Sequence, residues 1–389
     1  MRITTPYRTA ATTLATALAG LAFTMPAAGA STPKQDTLQD RVNAIQSTGT
    51  AGVLAEVTGA RGQRYATAGQ ASTETGAPVR PYDKFRIGSA TKTFIATVVL
   101  QLVGEGRLSL NDTAERWLPG VVTGHGNDGS KITIRELLQH TSGLYNYTAD
   151  LPEIASTAGF QAGRFTTYTP AQLVAIAMRH KPDFAPGTSW EYSNTNYILA
   201  GMIINKVTGH SWEQEVNERI IQPLGLRQTI TPGTYPYIPG PHMDGYSNFG
   251  SGPAINVTAN NMSWGDAAGA IISTTADLTR FYSALLGGRL LRPAQLAEMQ
   301  TTVPAREFDP IWPGARDGLG LLWIPLTCGG GYFSHGGDAN GYSTRDGITP
   351  DGRRIAVVEE TGDGDTSGLV TEHAMDALVD QELCGSGPR

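Results

Sequence analysis

The sequence predicts an α/β fold of the α+β type, in which both ends of the chain build a sheet and the middle supplies helices. Short strand patterns with glycine-rich turns lie within 52–68 and return from residue 318 onward. The intervening segment 110–264 has the composition of helix and loop, without clear alternating strands. A strongly apolar helical pattern follows Ser89. Strands at both ends with helices between them favour a sheet that carries a helical insertion.

The elements of the first half follow from local patterns. Residues 36–46 have a helical pattern, and 52–57 and 65–68 read as short strands. The next helix starts near Ser89 and carries apolar residues at helical spacing up to Gly104 and Gly106, which are stop signals. Those apolar residues are Phe94, Ile95, Val98, Val99, Leu102 and Val103.

The second half is predicted in the same way. Thr133 opens a short amphipathic helix over 133–140, and Thr169 followed by Pro170 marks the start of another. The apolar run 197–204 predicts a further helix. Strand patterns cover 320–324, 332–335, 341–344 and 354–359, and 371–383 predicts a closing helix.

The first thirty residues have the features of a secretory signal peptide. Arg2 and Arg8 supply positive charge, the following stretch is small and apolar, and Ala28-Gly29-Ala30 matches a cleavage site. We therefore expect a secreted, extracellular protein that is cleaved near Ala30. A membrane anchor is the alternative, although Thr and Pro interrupt the apolar run and no second hydrophobic span follows.

The charge balance restricts the partners. The chain of 389 residues carries a net charge of −6, and loss of the signal segment removes only positive charge. An acidic chain is a poor partner for nucleic acid or an anionic membrane. The seven histidines show no His-Glu-x-x-His pattern. We expect no cofactor and no metal, a small-molecule or peptide substrate, and a monomer.

Cys328 and Cys384 are the two cysteines of the sequence. In an exported chain they are expected to form a disulfide, which would pin the last helix to the body of the protein. Two free thiols are the alternative.

The Ser89-x-x-Lys92 motif stands at the start of the long apolar helix. Side chains three residues apart share a helix face, so Lys92 can take the proton of the Ser89 hydroxyl if burial lowers its pKa. The helix N-terminus also favours negative charge near Ser89. The pattern recurs at Ser31 and Lys34, in a polar lead-in with a proline where a helix-borne pair is not expected.

Two later motifs could complete a site. Tyr192-Ser193-Asn194 leads into an apolar helix, where Tyr192 could shuttle protons and Asn194 could hold a substrate amide. A second copy at 246–248 is followed by a flexible glycine-rich loop, and we favour the first copy. His335-Gly336-Gly337-Asp338 lies on a predicted strand, where glycines mark either close approach of a ligand or a bulge.

Taken together, these motifs resemble the serine DD-peptidase and class C β-lactamase-like family of Ser-x-x-Lys hydrolases. The sequence is most similar to secreted DD-carboxypeptidases and D-stereospecific amidohydrolases. The matches run in the family's order along nearly the whole mature chain: 85–92, 137–144, 186–194, 263–264 with 268–274, and 335–337.

The resemblance implies a five-stranded antiparallel sheet with flanking helices and a mostly helical domain. Residues 31–109 and 265–389 would form the sheet domain and 110–264 the helical domain, with the active-site cleft between them. It further implies that Ser89 is the acylated nucleophile, Lys92 its base and Tyr192 the proton shuttle.

The same resemblance implies the surroundings of the nucleophile. The backbone N–H groups of Ser89 and Asp338 would form the oxyanion hole, a contribution of a few kcal/mol per donor. The substrate would be held by Asn194, Trp264, His335, Gly337 and Asp338. Trp264 could equally be a structural core residue.

The sequence departs from the carboxypeptidase pattern at the carboxylate-binding positions. Gly336 and Asp338 stand where those enzymes typically carry hydroxyl residues, and the strand pattern within 320–327 lacks their arginine. We therefore expect a secreted serine hydrolase or acyltransferase that acts on amide, ester or peptide bonds of D-amino-acid substrates. A D-alanyl-D-alanine carboxypeptidase or β-lactamase, and a non-catalytic binding or sensing protein, are the alternatives. An α/β-hydrolase would need Gly-x-Ser-x-Gly, which is absent.

Overall fold

A computed structural model of the chain describes residues 37–60, 62–362 and 369–385. The predicted signal peptide, with its cleavage site at Ala30, and the second motif match at Ser31 and Lys34 lie outside the described residues. The α-helices of the described part are α1 (Leu38–Gln46), α2 (Thr91–Gly104), α3 (Ala114–Trp117), α4 (Ile134–Leu138), α5 (Thr157–Gly163), α6 (Pro170–Ala177), α7 (Asn194–Thr208), α8 (Trp212–Val216), α9 (Gln222–Leu224), α10 (Asp266–Gly269), α11 (Thr275–Leu286), α12 (Pro293–Met299) and α13 (Leu369–Cys384).

The strands alternate with these helices in a mixed α/β arrangement. They are β1 (Gly52–Gly59), β2 (Gly62–Ser72), β3 (Ala77–Pro78), β4 (Phe85–Arg86), β5 (Thr123–Gly124), β6 (Asn127–Asp128), β7 (Tyr246–Ser247), β8 (Ile255–Asn256), β9 (Ile272–Ser273), β10 (Val303–Pro304), β11 (Arg316–Asp317), β12 (Leu322–Pro325), β13 (Gly331–Ser334), β14 (Gly337–Ala339), β15 (Tyr342–Ile348) and β16 (Ile355–Thr361).

One large antiparallel sheet joins the two ends of the chain, as predicted. Among the described residues its order is β10-β11-β12-β13-β15-β16-β1-β2-β3, with β14 paired to β15, which makes ten strands instead of the expected five. The additional strands include the two-residue β3, β10 and β11 at the edges. These are too short to leave an alternating pattern in the sequence.

Both faces of the central strands are covered. Along β1, Val53, Ala55 and Val57 pack in one apolar cluster with α1 and α13, whereas Leu54 packs in the larger cluster that contains α2. Successive side chains of a strand point to opposite faces, so this alternation places helices on both sides of the sheet. Strand β16 divides its side chains between the same two clusters.

Helix α2 lies at the centre of the larger cluster. Most of its side chains are buried, including all the apolar residues predicted from the periodicity except Val103, which is partly buried. The ring of Phe94 stacks on that of Phe281 from α11, with centroids 3.7 Å apart. A helix buried on all sides is a rigid base for the residues at its N-terminus.

The cysteines form the predicted disulfide. Cys328 and Cys384 are bonded, with their Cα atoms 5.8 Å apart and a sequence separation of 56 residues. The bridge joins the end of α13 to the turn between β12 and β13. Chain-entropy models assign about 4 kcal/mol to closing a loop of this length.

No helix in the described part of the chain combines the length and the apolarity that crossing a membrane would require. The segment 110–264 is mainly helical, with the short pairs β5–β6 and β7–β8. The domain boundaries at 110 and 264 remain a prediction.

Candidate active site

Ser89 lies in a 3-10 turn, Gly88–Ala90, that connects β4 to α2. The α-helix therefore starts two residues later than the sequence pattern predicted. Gly88 has a φ of +49°, in the left-handed region that favours glycine. This turn bends the chain so that the Ser89 side chain faces Lys92 in the first turn of α2.

The Ser89 turn and β14 approach each other closely enough to exclude side chains. A Cβ on Gly88 would lie 2.6 Å from the backbone N of Asp338, and a Cβ on Gly337 would lie 2.5 Å from the backbone N of Ser89. Only glycine fits at either position. The contact brings together the two backbone N–H groups that the resemblance assigns to an oxyanion hole.

Lys92 is buried at the base of the site and contacts three oxygens. Its Nζ lies 3.0 Å from Ser89 Oγ, 2.7 Å from Asn194 Oδ1 and 2.8 Å from the main-chain oxygen of Ala268. Burial lowers the pKa of Lys92 well below its usual value, against the opposing charge of Asp317. The side chain is therefore biased toward the neutral amine.

The geometry orients that amine. A neutral amine has two hydrogens and one lone pair, and the oxygens of Asn194 and Ala268 can only accept hydrogen bonds. The two hydrogens therefore point at these acceptors. The lone pair is left for the hydroxyl of Ser89, which can donate. The arrangement suits proton abstraction from Ser89.

Tyr192 also contacts the nucleophile. Its hydroxyl shares a hydrogen bond with the Ser89 side chain, and its ring centroid is 4.8 Å from Lys92 Nζ. Burial is the main cause that raises the pKa of Tyr192 above its usual range. The phenol is therefore protonated at neutral pH and can donate a proton.

Asn194 is the first residue of α7 and connects the base to the binding cavity. Its Oδ1 is engaged by Lys92, while its Nδ2 makes only long contacts, at 3.4 and 3.5 Å, to the side chains of Asn146 and Thr148. Since the NH2 group is weakly held, it is the part of Asn194 that can donate to a substrate carbonyl.

His335 and Gly336 lie between β13 and β14, rather than on one continuous strand as predicted. His335 is buried, its Nδ1 donates to the main-chain oxygen of Gly336 at 2.9 Å, and its ring centroid is 6.5 Å from that of Tyr192. Burial, with Lys92 nearby, lowers the pKa of His335 to about 4. The imidazole is therefore neutral at neutral pH.

Asp338 is the most exposed of the predicted site residues, with 61% of its side chain accessible. Its carboxylate pairs at 3.0 Å with Arg345, a buried residue of β15 that also contacts Glu372 at 3.2 Å and Asp376 at 4.0 Å. One guanidinium thus faces three carboxylates. Because its guanidinium already pairs with these carboxylates, Arg345 is not available to bind a substrate carboxylate.

A cavity of about 490 Å³ adjoins these residues. Its wall includes Asn194, Trp264 and Asp338, which the sequence analysis had assigned to substrate binding. Trp264 is 9% exposed, so it is both a core residue and part of this wall. Among the described residues, the lining also holds Glu360 and Glu372 and contains no lysine, arginine or histidine.

The structure brings together Ser89, Lys92, Tyr192, Asn194 and Asp338, although their catalytic and binding roles remain predictions. The second Tyr-Ser-Asn copy does not join Ser89 and Lys92, although its Ser247 and Asn248 line the same cavity as Asn194 and Asp338. The Tyr246 hydroxyl accepts the backbone N–H of Thr73 at 2.8 Å, in the pair β7–β8, which indicates a structural role.

Three neighbours were not proposed from the sequence. His140 follows α4, packs its ring 4.4 Å from that of Tyr192, and accepts the backbone N–H of Ser193 at 3.1 Å. The sequence does contain a signal for His140, because this residue lies within the stretch 137–144 that matches the family. Arg345 and Asp317 reach the site from remote strands, and nothing in their local sequence marks them.

The sequence matches the beta-lactamase family over residues 35–379. Because the match covers most of the chain, this protein belongs to the beta-lactamase family. The described fold, with its large antiparallel sheet and flanking helices, agrees with that assignment.

Solved structures extend the comparison. The chain is 42% identical to a D-stereospecific amidohydrolase from Streptomyces sp., with a TM-score of 0.82, over 91% of this chain and 100% of that one. It is 27% identical to the D-amino acid amidase from Ochrobactrum anthropi SV3 complexed with L-phenylalanine amide, with a TM-score of 0.76, over 89% of this chain and 96% of that one.

The curated relatives match a smaller part of the chain. The chain is 27% identical to the putative penicillin-binding protein PbpX of Bacillus subtilis over 72% of its own length and 62% of the relative. It is 31% identical to the protein flp of Staphylococcus aureus over 51% and 38%, respectively. The chain thus spans less than two thirds of the length of these two relatives.

Proposed function

We propose that this protein is a secreted serine hydrolase and acyltransferase that cleaves amide, ester or peptide bonds of D-amino-acid substrates through an acyl-enzyme on Ser89. The observation that carries the proposal is the orientation of Lys92. Its Nζ contacts Ser89 Oγ and two pure acceptors, and in the neutral amine the acceptors take the two hydrogens, which leaves the lone pair for the Ser89 hydroxyl. The D-aminoacyl substrate class is supported by the likeness to the D-stereospecific amidohydrolase and the D-amino acid amidase.

The chemistry follows from the positions of the groups. The Lys92 amine takes the Ser89 proton while Oγ bonds to the acyl carbon, and the N–H groups of Ser89 and Asp338 receive the developing oxyanion. Tyr192, protonated because it is buried, donates a proton to the leaving amine or alcohol as its bond to the acyl carbon breaks. In deacylation, Tyr192 takes a proton from water, or from an amine in acyl transfer, as that nucleophile bonds to the acyl carbon. The bond to Ser89 Oγ then breaks, and Lys92 returns its proton to that oxygen.

The proposal includes no cofactor and no metal, and it expects a monomer without nucleic-acid or membrane partners. A D-alanyl-D-alanine carboxypeptidase would need a cation for the terminal carboxylate. The buried arginine beside the oxyanion strand is instead paired with Asp338, Glu372 and Asp376.

A substrate panel tests the proposal. Purified mature protein is assayed on matched D- and L-aminoacyl amides and esters, on peptides ending in D-Ala-D-Ala, and on a penicillin. We expect turnover of D-aminoacyl amides and esters at least tenfold above their L counterparts, a difference of about 1.4 kcal/mol in transition-state binding. Equal rates for D and L substrates would contradict the stereospecific proposal. Turnover confined to the acid-terminated peptide would instead favour the carboxypeptidase.

Asp338 is expected to disfavour a free carboxylate on the leaving-group side. Two unit charges about 4 Å apart interact by about 4 kcal/mol at an effective dielectric of 20, and solvent screening reduces that figure for a side chain as exposed as this one. Wild type should therefore have a higher kcat/KM for a D-aminoacyl amide than for the matched peptide with a free carboxylate. Asp338→Thr should narrow this ratio by up to about tenfold, mainly by improving the acid-terminated substrate.

Asp351→Thr is the matched control, because Asp351 lies in the turn beyond the opposite end of β15. In this variant, the ratio of kcat/KM for the amide to kcat/KM for the acid-terminated peptide should equal that of wild type. If Asp338→Thr leaves the ratio unchanged, the side chain does not select the substrate.

A further inference from the structure

Asp317 is a buried acid near the catalytic groups that the proposed chemistry does not use. It is the second residue of β11 and is 2% exposed. Its main-chain oxygen accepts the side chain of Gln139 at 3.2 Å, and its carboxylate accepts the indole N–H of Trp190 at 3.0 Å. A buried carboxylate is costly, and one neutral donor compensates only part of that cost.

Trp190 connects this carboxylate to the tyrosine loop, which we define as residues 190–194. Its ring meets that of His140 edge-on, with centroids 6.0 Å apart, and the His140 ring lies 4.4 Å from the Tyr192 ring. His140 Nδ1 also accepts the backbone N–H of Ser193. Asp317, Trp190 and His140 therefore form a packed support beneath Tyr192.

Asp317 also acts electrostatically on the base. The negative charge of Asp317 raises the pKa of Lys92, against the larger lowering by burial. The same charge also raises the pKa values of Tyr192 and Tyr197. Burial raises the pKa of Asp317 to about 8, so this carboxyl is largely protonated at neutral pH and ionises above it.

Other titratable groups face the same region. Burial, and after it the charge of Lys92, lowers the pKa values of His140 and His335, so both imidazoles are neutral at neutral pH. Glu307 accepts the backbone N–H of Tyr192 at 3.0 Å. The phenols of Tyr192 and Tyr197 are protonated. Lys92 and Asp317 are therefore the pair whose pKa values burial moves toward each other, that of Lys92 downward and that of Asp317 upward.

We propose that Asp317 is a positioning residue for acylation, which fixes the tyrosine loop through Trp190 and whose charge sets how readily Lys92 gives up its proton. This inference rests on the proposed function, because it assumes that Lys92 activates Ser89. An ionised Asp317 favours the ammonium form of Lys92. A neutral side chain at this position makes Lys92 available as a base at lower pH.

The test uses Asp317→Asn, since the asparagine oxygen can still accept the Trp190 indole N–H while the charge is removed. The measurement is the rate at which a fluorophosphonate labels Ser89, followed by intact mass from pH 5 to about 10. This probe requires only an activated serine and no particular substrate. In wild type, the labelling rate should rise with pH. In Asp317→Asn this ascending limb of the pH profile should lie about one pH unit lower.

Two further variants complete the design. Asp309→Asn, an exposed aspartate on the connection before β11, should keep the wild-type limb. Trp190→Phe removes the indole N–H, which leaves Asp317 less able to ionise. Its limb should move in the same direction, and its maximal rate should fall because the support of Tyr192 is weakened. This variant also keeps the inference testable if Asp317→Asn unfolds.

The outcomes separate the two proposals. If wild type is labelled and both variants keep its pH profile, Asp317 and Trp190 are merely structural and the inference is wrong, while the proposed function stands. If the limb shifts but no D-aminoacyl substrate is turned over, the inference stands and the substrate proposal is wrong. A wild type that is never labelled at Ser89 overturns both.

Discussion

Ser89→Ala is expected to abolish acyl transfer while leaving the fold intact. In the proposed mechanism the Ser89 hydroxyl oxygen bonds to the acyl carbon, and neither Lys92 nor Tyr192 replaces it. Loss of a nucleophile from a unit of cooperating residues typically costs 10⁴-fold or more in rate, roughly 5 kcal/mol or more. The substitution removes one oxygen from a partly exposed side chain, and Lys92 keeps two of its three contacts.

Intact-mass analysis during turnover of a slow D-aminoacyl ester checks this result. Wild type should carry an adduct with the mass of the acyl group, and Ser89→Ala should carry none at an unchanged melting temperature. Ser343→Ala is the matched control, because Ser343 lines the neighbouring cavity without contacting Lys92. An adduct that persists on Ser89→Ala would remove Ser89 from its role.

Replacing Lys92 should lower the acylation rate by a factor comparable to that expected for Ser89→Ala. Lys92 and Ser89 act as one unit, so the loss of either should approach the loss of both. Lys92→Met suits the test better than Lys92→Ala, because the site is fully buried and methionine keeps more of its volume. Methionine still leaves the oxygens of Asn194 and Ala268 without a donor, so some loss of stability is expected.

The measurement is single-turnover acylation with the same ester, alongside thermal unfolding. In wild type the rate should rise with pH as Lys92 loses its proton, at a pH well below the usual lysine value because burial lowers its pKa. In Lys92→Met that limb should disappear. A variant that acylates at near wild-type rate would show that another group is the base.

The sequence predicted the parts of the site that lie within single segments. Ser89 and Lys92 are three residues apart, and Tyr192 and Asn194 are two apart at a helix start, so local periodicity and capping were enough to place them. The start of α2 was misplaced by two residues, because Gly88 adopts a positive φ and the chain enters the helix through a 3-10 turn.

The rest of the site depends on contacts between distant segments. Arg345 reaches Asp338 because β15 pairs with β14, and Asp317 reaches Trp190 because the short strand β11 lies next to the tyrosine loop. No local pattern encodes such contacts. The sequence shows that an arginine is missing near residue 320. That Arg345 on β15 is paired with acidic side chains follows only from the register of the strands.

The close approach of Gly88 and Gly337 also has a consequence for folding. The two N–H donors come from segments about 250 residues apart in the chain, and β16, near the C-terminus, pairs with β1, near the start of the described residues. Such non-local pairing is entropically slow to form. Ser89 and Lys92 can meet as soon as α2 folds, but the second donor arrives only when the last strands have docked. Under the proposed mechanism, hydrolytic competence is therefore acquired at the end of folding. A partly synthesised chain would carry Ser89 and Lys92 without the second donor proposed to stabilise the transition state.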